Sequence, residues 1–381
     1  MNLVFALNNL DHIKETDFKE IIIGIKEWSR VGRFSLNQLP EIIKISQEKK
    51  CKLIIEWDII MTEDELEKIK LEVKPFLSEA NCVWRVQDVG ALKWLKDQAG
   101  SFLIQPVLET GHHNFLALEA HLLFLENKLD RLILSSEIPF SILSSWLLKL
   151  KVPVEILVFG RIQLFYSPRK LLSPLKMEQA HDEWLEASGE SEESPHKGFP
   201  VVENRHGTFM YHIKDLSLLS EKEFFIANPN LYYRVDLRHI QYDLNYLKKI
   251  HSYFETFDEE TLTEIQKNYS IDCTRGFSRV NKTDILFPKL KNHRLAREDE
   301  DYVGEVIDVI KDLGLVVQVR DVDLKKGSRL KLITPLGKEK ILHLESLKDT
   351  DLKEVDFIAR DHLALLPFIS GISPQTIVRF N

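Results

Sequence analysis

Cysteine is scarce in this sequence, with three residues in 381. Cys51, Cys82 and Cys273 lie far apart, form no CxxC pair and are too few for a disulfide framework, so they read as thiols of a reducing compartment. No apolar run approaches the roughly 18 residues that cross a bilayer. The first residues, MNLVFALNNLDH, reach Asn8 and Asp11 too soon for a signal-peptide core. The expectation is a cytoplasmic protein with no membrane partner. A surplus of positive charge is also missing: 51 Lys and Arg stand against 59 Asp and Glu, a formal charge of −8. That excludes a cationic field over the whole surface and confines any RNA contact to a local patch. No Gly-rich dinucleotide or P-loop fingerprint follows any strand-like run, and no HExxH or facial-triad spacing occurs.

What is present is a cadence. Apolar runs at 3–7, 20–25, 51–57, 82–86, 101–107, 130–136 and 152–160 alternate with helical stretches at 36–49, 62–77, 88–98, 112–127 and 139–149. The runs are nearly continuous, as parallel strands buried on both faces require. With LYYRVDL at 231–237 they number eight, which predicts a TIM-type (β/α)8 barrel of class α/β rather than an open doubly wound sheet. The barrel is expected to occupy residues 1–290. Residues 186–198, EASGESEESPHKG, hold almost nothing apolar and are expected to form a mobile loop inserted before the last strand. From about 300 the pattern becomes short strands joined by Gly turns, YVGEVIDVI, GLVVQVR, GSRLKLIT and KEKILHL, predicting a small all-β, barrel-like domain over 300–381.

The stretch VEILVFGRIQLFYSPRKLLS at 154–173 resembles the signature of the collagenase-like peptidase family U32, which reads close to VELEVFVHGALCxxYSGRCLLS. Glu155, Gly160, Tyr166, Ser167, Arg169 and the Leu-Leu-Ser tail carry the likeness. Further landmarks follow in order: Asp88 and Gly90 in VQDVG, Asn114, Glu137 in SSEIPF, CTRGFS at 273–278 and YVGEV at 302–306. The resemblance implies a TIM-type barrel followed in some members by a small β-barrel. It also implies a function near that of cluster-containing relatives that support hydroxylation of tRNA or rRNA pyrimidines, with prephenate implicated for some, or of the ubiquinone ring. Peptidase is the older description. Two signature positions that hold cysteine in relatives are Gln163 and Lys170 here. An iron-sulfur cluster needs four thiolates at one site, so no cluster and no other cofactor is expected.

In such a barrel, functional groups gather where strands end. This selects Glu56, Asp58, Arg85, Gln87, Gln105, Glu109, Glu137, Arg161 and the Arg234, Asp236, Arg238 group, which alternation places on one face. Tyr166 and Arg169 of the signature join them as candidates. Arg85, Arg161, Arg234 and Arg238 either form a cationic mouth that clamps carboxylates or phosphates, or pair with Glu56, Asp88, Glu137 and Asp236 as a structural network. On the first reading, Arg161 and Arg238 share a pocket with Glu137 and Tyr166. His112 and His113 open a helix, point about 100° apart and suit capping better than metal binding. Ser167, followed by Pro168 and without a GxSxG turn, lacks the setting of a peptidase nucleophile. The basic run 288–297 is either a solvated linker or a phosphate contact. The leading expectation is an RNA-modification-type protein binding an anionic small molecule or nucleotide, with tRNA as partner. A non-catalytic scaffold and a collagenase-like peptidase are the alternatives.

Overall fold

All eight of those apolar runs fold as strands of one closed parallel barrel. The structure, a computed structural model, describes residues 1–110, 112–175, 184–190, 197–279, 301–311, 313–320, 322–335 and 337–381. The first seven strands alternate with helices: β1 (Asn2–Ala6), α1 (Leu10–Glu15), β2 (Glu20–Gly24), α2 (Leu39–Glu48), β3 (Lys52–Trp57), α3 (Glu63–Val73), β4 (Cys82–Val86), α4 (Val89–Asp97), β5 (Leu103–Leu108), α5 (Phe115–Leu125), β6 (Leu132–Leu134), α6 (Phe140–Leu147) and β7 (Val154–Gly160). The apolar continuity has its physical reason in burial: every residue of β2, β4 and β7 is buried. Several of the helices start at polar caps. Thr62 and Glu65 make a reciprocal capping box on α3, and the side chains of Asp88 and Asn114 accept from the backbone N–H groups of Ala91 and Ala117. Asp88 therefore caps a helix and makes no ion pair with the mouth arginines among the described residues.

An insertion follows β7. Strands β8 (Gln163–Ser167), β9 (Leu185–Glu190), β10 (Lys197–Asn204) and β11 (Gly207–Tyr211) form a separate antiparallel sheet in the order β8-β11-β10-β9. The chain then returns through β12 (Asp215–Ser217) and α7 (Lys222–Ala227) to β13 (Tyr232–Asp236), which pairs in parallel with both β1 and β7 and closes the barrel. Helices α8 (Leu244–Thr256) and α9 (Glu259–Lys267) and the short β14 (Cys273–Thr274) complete this part. The expected mobile loop at 186–198 is corrected at both ends: Ala187 pairs with Val201 and Glu190 with Lys197. Composition counted too few apolar residues for a core, but a hairpin needs only backbone pairing and one half-buried face, and β9 alternates between half-buried and exposed positions. The middle of that segment, 191–196, lies outside the described residues.

The barrel interior holds an apolar cluster and an ionic network. Val4, Ala6, Ile22, Ile54 and Val83 make an apolar cluster inside β1 to β4. A second part of the filling is ionic, carried by β4, β5, β7 and β13 together with Lys52 of β3 and the residues leading into β6. Arg85 donates to Gln105 through Nε and Nη2 (3.0 and 2.7 Å) and to Glu155 (2.7 Å), Gln105 donates to Asp130 (2.7 Å), and Asp130 accepts from Lys52 and Arg131 (both 2.9 Å). Glu155 is wholly buried, with Arg131 at 3.6 Å and Arg234 at 3.9 Å as further counter-charges.

By its internal contacts the chain divides into two units, Met1–Arg279 and Val280–Asn381. The second is a six-stranded antiparallel sheet in the order β19-β18-β22-β15-β16-β21, with a two-stranded β17–β20 ribbon. Its strands are β15 (Tyr302–Ile310), β16 (Gly314–Val319), β17 (Leu324–Lys325), β18 (Arg329–Ile333), β19 (Glu339–His343), β20 (Phe357–Ile358), β21 (Leu363–Leu366) and β22 (Ile377–Phe380). It has its own core, built on residues such as Val306, Val317, Leu332, Leu344 and Val378. The basic run 288–297 lies outside the described residues. No described helix is long and apolar enough to cross a membrane.

Candidate functional site

Strand carboxyl ends converge on a cavity of about 580 Å³. Glu56 and Asp58 reach it from β3, Glu109 from β5, Ser135 and Glu137 from β6, Arg161 from β7, and Arg234, Asp236, Arg238 and His239 from β13. The segment after β2 adds Arg30 and Arg33, and the inserted sheet covers the opening with Gln163, Trp184, Glu186 and Tyr211. That sheet is tied down on the barrel: Asn204 Nδ2 donates to the Arg30 carbonyl (2.8 Å) and His206 Nε2 to the Lys26 carbonyl (2.6 Å).

Most of the arginines are occupied. Arg238 is held by Glu56 (2.6 and 3.2 Å) and by Asp236 (2.9 and 2.6 Å), so one guanidinium serves two carboxylates. Burial pushes both acids up, but Arg238 and then Arg234 hold the Asp236 carboxyl well below its ordinary range. For Glu56, burial and the neighbouring Asp58 and Asp236 outweigh Arg238 and leave its carboxyl raised. Arg30 donates from its backbone N and Nε to Asp58 (2.9 and 2.7 Å) and from Nη1 to Gln163 Oε1 (2.7 Å). Burial raises the Asp58 carboxyl less than Arg30 lowers it, so it lies below its ordinary value. Arg234 pairs with Glu109.

Two guanidinium groups on the cavity have no ion pair among the described residues. Arg161 lies 4.6 Å from the centre of the Tyr211 ring, and Arg33 lies 4.0 Å from that of Trp184. Burial first, then Arg238, lowers the Arg33 pKa, with Glu186 opposing. Glu137 sits on the exposed rim with His113 Nε2 at 3.5 Å.

Glu137, Arg161, Arg234, Asp236 and Arg238 thus share the cavity, as strand-end position and alternation imply. Arg85 lies deeper, 1% exposed inside the barrel. Tyr166 is not in the pocket with Arg161 and Arg238. It stands on β8, where its ring stacks on Phe209 and its hydroxyl accepts from the Ile60 N–H (3.1 Å) and donates to the His206 carbonyl (3.2 Å). Arg169 follows β8, exposed and off the cavity, with its N–H on Ser167 Oγ (3.2 Å). Ser167 therefore accepts from its own turn, and no histidine is bonded to it among the described residues. His112 Nδ1 donates to the Thr110 carbonyl (2.7 Å), and its Nε2 lies 3.2 Å from His121 Nε2.

Arg30, Arg33, Trp184, Tyr211 and His239 were not singled out from the sequence. Arg30 and Arg33 lie in SRVGR just beyond the end of a strand, a signal that the strand-end rule already contains. Trp184 and Tyr211 belong to the insertion, where no barrel rule applies.

The residues present do not fit an iron-sulfur cluster. Where relatives carry one thiolate, the Gln163 amide accepts from Arg30. Cys51 and Cys82 are buried at the amino ends of β3 and β4, opposite the mouth, and burial pushes their thiols up to about 12. Cys273 is exposed on β14. No group of three or more possible metal ligands occurs among the described residues.

The family model for peptidase family U32 matches residues 7–284. Among solved structures, the C-terminal domain of a Geobacillus thermoleovorans protein described as a U32 peptidase is 18% identical, covers 21% of this chain and 92% of its own, and gives a TM-score of 0.20. The U32 peptidase Mk0906 is 10% identical over 42% of this chain and 70% of its own, with a TM-score of 0.35. No protein of curated function matches the chain.

Proposed function

This chain belongs to peptidase family U32, and we propose that within it the protein is of the RNA-modification type, binding an anionic small molecule or a nucleotide at the barrel mouth. Arg161 is the observation that carries this reading, because its guanidinium lines the cavity with an aromatic ring beneath it and without an ion pair among the described residues. The cavity as a whole offers no cationic field. Its five arginines, at 30, 33, 161, 234 and 238, meet six acids, at 56, 58, 109, 137, 186 and 236. A ligand must therefore bring acceptors to Arg161 and Arg33 and donors to carboxylates such as Glu137 and Asp236, and the phosphate and ribose hydroxyls of a nucleotide supply both. The volume of about 580 Å³ is ample for one. The C-terminal sheet unit is assigned the holding of RNA.

Calorimetric titration with uridine 5′-monophosphate, and separately with inorganic phosphate, tests the site. Arg161→Ala is expected to lose roughly ten- to a hundredfold in affinity, the equivalent of about 1.5–3 kcal/mol for a charged hydrogen bond. Arg161→Lys should recover only part, since an ammonium lacks the planar fork. Equal binding by parent and Arg161→Ala overturns the assignment. Comparing tRNA nucleosides from a deletion strain and its parent tests the wider reading: missing 5-hydroxyuridine derivatives support it. Unchanged nucleosides with intact anion binding leave a binding scaffold, and gelatin hydrolysis abolished by Ser167→Ala would make the protein a peptidase.

A further inference from the structure

One group on the cavity wall has no part in holding an anion. His239 follows Arg238 directly and lines the mouth. Its Nε2 lies 2.6 Å from Asp215 Oδ2. Asp215 opens β12 and is 2% exposed. The same Oδ2 accepts from the Tyr269 hydroxyl, whose ring is packed against Phe159 at 4.6 Å. Burial, and then the anionic Asp215, push the Tyr269 phenol far above its ordinary range, so it keeps its proton and donates.

The ring's chemistry follows from that arrangement. A carboxylate already accepting from Tyr269 can only accept from His239 as well, so Nε2 carries the hydrogen. In the neutral imidazole the lone pair is then on Nδ1. Nδ1 makes no hydrogen bond among the described residues, and the ring, 10% exposed, lines the cavity. A buried carboxylate that fixes a histidine tautomer and stabilises the imidazolium is the arrangement by which imidazoles act as bases.

We propose that His239 is a proton acceptor built into the barrel mouth, oriented by Asp215, for an anionic ligand that carries an ionisable hydroxyl or a C–H acidified by a neighbouring carbonyl. The proton passes from the ligand to Nδ1, and the electron pair of the broken O–H or C–H bond stays on the ligand. The imidazolium so formed is paired with Asp215, and return of the proton restores the ring. No oxidant or reductant enters the step. Asp215 is a positioning residue here, and Tyr269 supports it from behind.

The test needs no ligand, so its outcome is separate from whether uridine monophosphate binds. Diethyl pyrocarbonate acylates accessible, unprotonated imidazole nitrogens, and peptide mass mapping of the full-length protein reads each histidine. His239, although less exposed than His343 and His362, is expected to react through Nδ1. Asp215→Asn should slow His239 several-fold while the other histidines keep their rates. An unreactive His239, or a rate indifferent to Asp215→Asn, overturns the proposal. If Asp215→Asn does not fold, long-range proton-nitrogen correlation spectra of the parent decide it. A neutral ring protonated on Nε2 is the expected result, and one protonated on Nδ1 removes the base.

Discussion

Arg85 and Arg161 answer to one description in the sequence, a guanidinium at the end of an apolar run, yet their surroundings are opposite. Arg85 is enclosed with Glu155 at 2.7 Å, whereas Arg161 lies over an aromatic face and has no ion pair among the described residues. Glu155, one of the signature residues, is the counter-charge on which Arg85, Arg131 and Arg234 converge. Glu155→Gln keeps the shape and deletes the charge, so urea denaturation should show a loss of about 3–5 kcal/mol, the usual result of stripping a buried charge of its partner. Arg161→Ala should stay within about 0.5 kcal/mol. Equal losses in the two variants would mean that Arg161 is structural. The sequence could place Arg234, Asp236 and Arg238 on one face because alternation is local. It could not say which carboxylate each would meet, because strand stagger in a closed barrel brings residues of distant strands to one level.

At the level of single elements, β7 and the sheet that follows it show where patterning succeeds and where it stops. Every residue of VEILVFG is buried, so the run announces itself. Two of the inserted strands have no such signal: β9 alternates half-buried and exposed positions, and β8 is half-buried at every position but the exposed Phe165. The sheet is held by pairing, by a buried apolar cluster of Val202, Phe209 and Tyr211, and by Glu203, whose carboxylate accepts from the N–H groups of Leu172 (2.6 Å) and Ser173 (3.0 Å) and from the Thr208 hydroxyl (3.0 Å). That bonding gives the Leu-Leu-Ser tail of the signature a structural reason. Gly160 has one too: its φ is +149°, and a Cβ there would stand 2.3 Å from the Asp236 carbonyl oxygen. Gly160→Ala should cost at least about 1–3 kcal/mol in strained backbone alone. It should also weaken anion binding, because β7 and β13 would have to part beside Arg161 and Asp236. Unaltered urea stability in that variant would contradict the tight β7–β13 approach.

For the molecule as a whole, the two cores predict two unfolding events. All six tryptophans, at 28, 57, 84, 94, 146 and 184, lie in the first unit. Tryptophan fluorescence therefore follows the barrel unit alone, while far-ultraviolet circular dichroism follows both, and the two urea transitions should not coincide. Superimposable curves would mean a single cooperative unit. Fold class was legible at this scale because eight buried runs and a Gly-punctuated tail are patterns of whole segments, which no single misplaced residue disturbs. The pairing that closes the barrel has a consequence in time. Asn2 waits for Tyr232, its partner in β13, and the inserted sheet between β7 and β13 lengthens that wait. At a synthesis rate of about 5–20 residues per second, the newborn chain spends roughly 10–50 s on the ribosome with one edge of β1 bare. Until residue 236 is made the barrel cannot close, which makes the speed of elongation up to that point and the chaperones at hand during it part of how this barrel comes to exist.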